Sequence, residues 1–252
     1  MSFPKISIIT VCYNAEKYIR KTMLGVFEQT YPNIEYIVID GGSKDGTVDI
    51  IKEYQDRIGY WVSERDKGLY DAMNKGIDAA KGDYLFFLNA DDQFASNDIL
   101  EKMIASKKDA DVYYGDVMLI DENDQDLGLR SQITPHKVPE ILTWTSLKHG
   151  MVVSHQAFLV KRSITPLYDL QYKVSADIDW MIRVLKNAIS IHNTKLVVAK
   201  FRTGGTSKQR RKQAWKERYA IFSKHYGKVP NFLNHLYIAI RYIIKKPFQN
   251  HA

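Results

Sequence analysis

The 252-residue chain has one cysteine, Cys12, which excludes an internal disulfide framework and a multi-cysteine zinc site and fits a reducing compartment. It also lacks an apolar run of the ~18 residues that a membrane-crossing helix needs. The nearest approach, 232–248, is broken by Asn234, His235, Arg241, Lys245 and Lys246. The opening Met-Ser-Phe-Pro-Lys carries no basic stretch feeding an apolar signal core, so the expected location is the cytoplasm. Low-complexity tracts, internal repeats and long flexible linkers are missing too. With 45% hydrophobic and 26% charged residues the sequence reads as an ordinary globular protein able to bury a full core.

The net charge of +7 is unevenly placed. Lys208, Arg210, Arg211, Lys212, Lys216 and Arg218 crowd one segment, and Lys245 and Lys246 lie near the end of the chain. The expected division is a catalytic domain over 1–207 and a basic helical extension over 208–252. That extension would suit the anionic inner face of the cytoplasmic membrane as a peripheral site.

Strands and helices alternate through the first hundred residues. Ile6, Ile8, Ile9 and Val11 mark a buried strand, and 15–29 a helix with Tyr18, Ile19, Met23, Val26 and Phe27 on one face. Tyr36 to Asp40, Tyr60 to Ser63 and Tyr84 to Leu88 read as strands, and Val48 to Tyr54 and Leu69 to Ala80 as helices. This order predicts an α/β fold with a doubly wound, mostly parallel sheet. A smaller antiparallel part is expected at 112–114, 117–120 and 152–160, followed by helices at 176–186, 208–225 and 232–245. Ligands of such sheets sit beyond the carboxyl ends of the strands, where Tyr13, Asp40, Glu64 and Asp91 fall.

Four segments there carry candidate chemistry. Asp40-Gly41-Gly42-Ser43 is neither a dinucleotide fingerprint, because of Ser43, nor a P-loop, because Thr47 stands where lysine is required. Asp40 is left either to cap the turn or to accept a hydrogen bond from a base or ribose. Asn89-Ala90-Asp91-Asp92 follows an apolar strand; two adjacent acids either cap the next helix or hold Mg²⁺ or Mn²⁺ against a diphosphate. Asp177 and Asp179 open an apolar helix, where they complement its dipole or supply a general base. The 201–207 stretch, with Arg202, Gly204 and Gly205, is a lid over a leaving diphosphate or an ordinary lead-in to a helix capped by Ser207. His155-Gln156 alone is as compatible with a structural pair as with a catalytic one.

In this order, these segments resemble the family 2 glycosyltransferases of GT-A fold, in particular the inverting bacterial branch that builds O-antigen, capsule and exopolysaccharide. The resemblance covers about the first two hundred residues. It implies that the backbone of Thr10 and Val11 and the ring of Tyr13 hold uracil, and that Asp40 reads the base. Asp66, Lys67, Asn74 and Lys75 come near the nucleotide, as do Asn89 and Ala90, with Asn89 in place of the commoner first acid of the Asp-x-Asp element. Asp91 and Asp92 would bind the metal and Asp177 would be the base, Asp179 being structural. His155 and Gln156 fall on the acceptor side, and Arg202 and Gly205 on the diphosphate side. The implied partners are a nucleotide-sugar donor, UDP-linked by preference, and a glycan or polyprenyl-diphosphate-linked acceptor. A sugar-nucleotide pyrophosphorylase would carry a Gly-rich basic loop where Tyr13-Asn14-Ala15-Glu16 stands, and no nucleic-acid-binding motif accompanies the basic segment.

Overall fold

The computed structural model of the chain describes residues 3–204 and 210–235. All seven residues of β1 (Ile6–Cys12) are buried, the pattern of a parallel strand covered on both faces. Parallel to it lie β2 (Ile34–Asp40) on one side and β4 (Tyr84–Phe87) on the other, with β3 (Tyr60–Ser63) beyond β2. The chain therefore reverses its direction of winding at β1, and the crevice outside the carboxyl ends of β1 and β4 is a topological switch point.

Among the described residues nine strands form one sheet, in the order β3-β2-β1-β4-β8-β6-β9-β5, with β7 added to β6. The antiparallel part holds β8 (Phe158–Lys161) between β4 and β6 (Val112–Ile120). A hairpin joins β6 to β7 (Asp126–Leu129), and β5 (Gln93–Phe94) pairs with the far strand β9 (Ile191–Arg202). Helices α1 (Ile19–Phe27), α2 (Thr47–Glu53), α3 (Leu69–Ala79) and α4 (Ile99–Ser106) alternate with the parallel strands and α5 (Arg130–Ile133) is a single turn. The pair α6 (Ala176–Asn187) and α7 (Arg211–Tyr226) completes the fold.

Three expectations change. The two short strands at 112–114 and 117–120 are one strand, bulged where its register with β9 slips around Asp116. Gly115 makes that bulge possible, because a Cβ there would meet the Leu196 carbonyl oxygen at 2.4 Å. Only the end of the 152–160 stretch is strand; His155–Ala157 is a 3₁₀ turn. The basic segment is no loose tail, since Ile221 and Phe222 of α7 are fully buried in the core shared with β1, β4 and α6. The helix expected from 232 begins earlier, at 228, and runs through 235; the remainder of the expected 232–245 helix lies outside the described residues.

Candidate active site

Cys12, Asp40 and Ser63 are aligned across β1, β2 and β3, so the sheet register alone gathers their side chains at its carboxyl edge. Asp40 is fully buried there. Its Oδ2 accepts the amides of Gly42 (3.1 Å) and Ser43 (2.9 Å) and the Ser63 hydroxyl (2.6 Å), and its Oδ1 accepts the Ser43 hydroxyl and the Cys12 thiol. Five donors fill the lone pairs of a carboxylate. In the structure Asp40 anchors the turn that follows β2. That turn is laced to the loop after β1, where the Lys44 amide donates to Asn14 Oδ1 (2.9 Å) and the Ala15 amide to Thr47 Oγ1 (2.8 Å).

Beside it lie the Tyr13 ring, 63% exposed, and the Asp66 side chain, which is largely buried. A Cβ on Gly41 would lie 2.9 Å from Asp66 Oδ2 and 3.5 Å from the Tyr13 ring, so glycine is what lets the two approach. Lys75 bridges Asp66 (2.5 Å) and Glu64 (2.7 Å), partly offsetting the burial that raises the Asp66 pKa. Lys67 is exposed on the same rim. Thr10 and Val11 are buried in β1, with the Thr10 hydroxyl donating to the Leu88 carbonyl at 2.7 Å. The Asn74 amide makes a two-way clamp on the Tyr168 backbone, at 3.0 and 2.7 Å.

Beyond β4, Asp91 is half-buried and lines a cavity of about 110 Å³ together with Lys17, Tyr18, Lys21 and Arg202. Burial raises its pKa, with Arg202 opposing. Asp92 differs sharply. It is fully buried, its Oδ1 3.3 Å from the Arg202 amide, and burial followed by the Asp91 charge pushes its pKa well up. Asp92 is therefore an interior anchor, and of the expected metal pair only Asp91 faces the cleft. Asp92 Oδ2 and Asn89 Oδ1 are buried with no hydrogen-bond partner among the described residues. Ala90 is buried, its carbonyl accepting the Thr22 hydroxyl. No cluster of three or more His, Cys, Asp or Glu suited to a metal occurs among the described residues. One open carboxylate beside orphaned oxygens matches a cation that takes the rest of its shell from phosphate and water.

Arg202, at the end of β9, is held by the Asp121 carbonyl and the Asp124 carboxylate and lies flat over Tyr18, 4.4 Å from the ring centre. Gly205 lies outside the described residues. Gln156 is buried against Ser154 and Asp92. His155 is buried among Phe87, Tyr168 and Trp180, its Nε2 2.5 Å from the Tyr168 hydroxyl, and burial lowers its pKa to about 3. Such an imidazole stays neutral and is packed into the aromatic core.

The aromatic cluster sets the last carboxylate. Trp180 stacks on Tyr168 at 5.0 Å and meets the edge of Phe87, at the end of β4, at 5.7 Å. That contact docks the first turn of α6 against the carboxyl end of the sheet. Asp177 Oδ1 lies 3.2 Å from the hydroxyl of Tyr70, in the first turn of α3, whose proton it shares with the Val174 carbonyl at 3.0 Å. Burial raises the Asp177 pKa to about 6, with the Ile178 amide, Tyr70 and Arg218 pulling the other way. Asp179, two residues on, is spent on structure: it binds Arg183 (2.7 Å) and His225 (2.8 Å), and these partners hold its pKa down to about 2. Asp66, Asp91 and Asp177 thus belong to loops and helix starts at one end of the sheet.

Two contributors escaped the sequence reading. Tyr70 lies between the expected site residues Lys67 and Asn74, but nothing in its spacing announces Asp177. Glu217 accepts the amides of Lys173 (2.9 Å), Val174 (2.8 Å) and Ser175 (2.9 Å), fixing the approach to α6. The available signal was one acid within a run of lysines and arginines.

Residues 7–165 match the family described as Glycosyl transferase family 2. An uncharacterized glycosyltransferase of Mycobacterium tuberculosis is 32% identical over 220 residues, 84% of this chain and 80% of the relative. The PGL/p-HBAD biosynthesis glycosyltransferase of Mycobacterium bovis is 31% identical over 216 residues, 81% of this chain and 79% of its own length. Among solved structures, S. aureus TarS 1-349 in complex with UDP has a TM-score of 0.66 at 17% identity, over 87% of this chain and 64% of that one. The mannosyltransferase PcManGT of Pyrobaculum calidifontis, in complex with GDP-Man and Mn²⁺, has a TM-score of 0.64 at 15% identity, over 97% of this chain and 75% of that one. The chain belongs to family 2 of the bacterial glycosyltransferases and has their GT-A fold.

Proposed function

We propose that the enzyme moves a sugar from a UDP-sugar to an acceptor hydroxyl in one inverting displacement, with Asp177 as the general base. The observation that carries this reading is the Asp177 carboxylate, hydrogen-bonded by Tyr70 at the carboxyl end of the sheet with its pKa raised to about 6. A base in that range is ionised at neutral pH yet basic enough to take a hydroxyl proton as the oxygen attacks. Tyr13 and Asp66 border the place for the nucleotide, and Gly41 leaves the space between them. Asp91 would hold Mn²⁺ or Mg²⁺, which supplies charge neutralisation for the departing diphosphate. Lys17, Lys21 and Arg202 line the same cavity with Glu122 and Asp124, the latter paired with Lys21 and Arg202. Screening UDP-, GDP- and dTDP-sugars for protection against unfolding and for slow hydrolysis tests the donor assignment. UDP-sugars should protect in the presence of Mn²⁺, and protection by none of the panel would refute it.

The acceptor in this reading is linked to a polyprenyl diphosphate and met at the inner face of the cytoplasmic membrane. No helix among the described residues is long and apolar enough to cross a membrane. Instead, α7 and the helix over 228–235 expose Trp215, Tyr219, Val229, Phe232 and Leu233 among basic side chains, a mixture suited to an anionic interface. The full chain should float with liposomes containing phosphatidylglycerol and sink with purely zwitterionic ones. Equal behaviour on both would remove the electrostatic argument.

A further inference from the structure

Arg218 belongs to a helix that the sequence marks only as basic, yet it is not a solvated surface cation. Its neighbour Glu217 clamps residues 173–175 and also accepts Gln213 Nε2 at 2.9 Å. Ala214, Ile221 and Phe222 of the same helix are buried. These contacts fix α7 against the start of α6 and bring Arg218 to Asp177. The guanidinium is half-buried, and its Nε is enclosed with no hydrogen-bond partner among the described residues. Burial opposes its charge, and the one carboxylate that acts on it is Asp177, which does not close an ion pair with it.

A guanidinium stays charged inside proteins, and burying one without partners costs free energy that native structures recover through an anion. Asp177 cannot be that anion in the working enzyme, because a base locked in a bidentate pair would lose its affinity for the hydroxyl proton. Arg218 acts on the carboxylate of the base, so an acceptor that presents its hydroxyl to Asp177 comes within its reach. The planar fork of an arginine fits two oxygens of a phosphate better than any neutral sugar hydroxyl.

We propose that Arg218 is an acceptor-recognition residue that binds a phosphate carried by the acceptor close to the hydroxyl that Asp177 activates. This rests on the assignment of Asp177 as the base and on a phosphate-linked acceptor, and adds the residue that recognises the acceptor's phosphate.

The test titrates decyl-phosphate-linked monosaccharides, and the matched neutral decyl glycosides, onto UDP-loaded full-length enzyme. The wild type should bind a phosphate-linked probe more tightly than its neutral counterpart. Arg218→Gln should weaken that binding about 10–100-fold, the scale of a charge-assisted contact, and leave the neutral probes unchanged. Arg218→Lys should recover part of the loss, because it keeps the charge without the fork. Equal weakening for charged and neutral probes, or no preference for phosphate in the wild type, overturns the proposal. A fall in UDP affinity in Arg218→Gln places the anion on the donor and overturns it as well. Failure of the wild type to bind UDP at all is a different result, which refutes the donor assignment beneath it.

Discussion

Replacing Asp177 with asparagine is expected to lower sugar transfer by ~10²–10⁴-fold while UDP binds as it does to the wild type. The change keeps the size of the side chain and its position beside Tyr70, and removes only the ability to accept a proton. In the wild type the rate should rise with pH and level off, with a midpoint near the Asp177 pKa of about 6, because only the carboxylate is a base. The variant's residual rate should lose that acid limb. Stability should move in the opposite direction. The pKa is higher in the folded chain than in the unfolded one, so folding favours the protonated form. The stability tied to this group is fully present below the unfolded value and is lost as pH rises through about 6. At pH 7.5 the neutral amide should therefore raise Tm, by about 2–6 °C for one to two kcal/mol in a chain of this size. Near wild-type transfer at saturating acceptor, with the acid limb intact, would show that another group takes the proton.

The second large effect is expected at Asp91. Alanine there should weaken Mn²⁺-dependent UDP binding by at least 10–100-fold, the loss already typical when a group merely supporting a metal ligand is removed. Binding of UDP in the presence of a chelator should change little, since Tyr13, Gly41 and Asp66 are untouched. Substituting Asp92 should act through the fold instead. Its carboxyl is enclosed under the Arg202 amide, so its removal disturbs the link between β4 and β9 and not the cleft.

The contrast between these neighbours shows what the sequence could carry. Four parallel strands were legible because β1, β2 and β4 are buried almost throughout, which leaves apolar runs of strand length, and because short helices separate them. β9 was not: its register with β6 slips twice and Lys195 takes a left-handed φ of 59°, so no alternation survives along it. Acids were legible as candidates, since each ends a strand or opens a helix, but their roles depend on which donors the fold delivers. Asp40 meets five donors and becomes an anchor, and Asp179 meets Arg183, Lys224 and His225 and becomes another. Asp177 meets one tyrosine and one amide and keeps its basicity. His155 and Asn74 both take Tyr168 as partner, a residue far from Asn74 in sequence. No local pattern encodes such partners.

The central claim is that one site divides its work between two carboxylates, Asp91 for the nucleotide's charge and Asp177 for the acceptor's proton. Calorimetric titration of UDP with Mn²⁺ into the wild type, Asp177→Asn and Asp91→Ala tests it most directly. The account predicts matching affinities for the first two and a large loss for the third. Intact UDP–Mn²⁺ binding in Asp91→Ala, with binding lost in a folded Asp177→Asn, would contradict it.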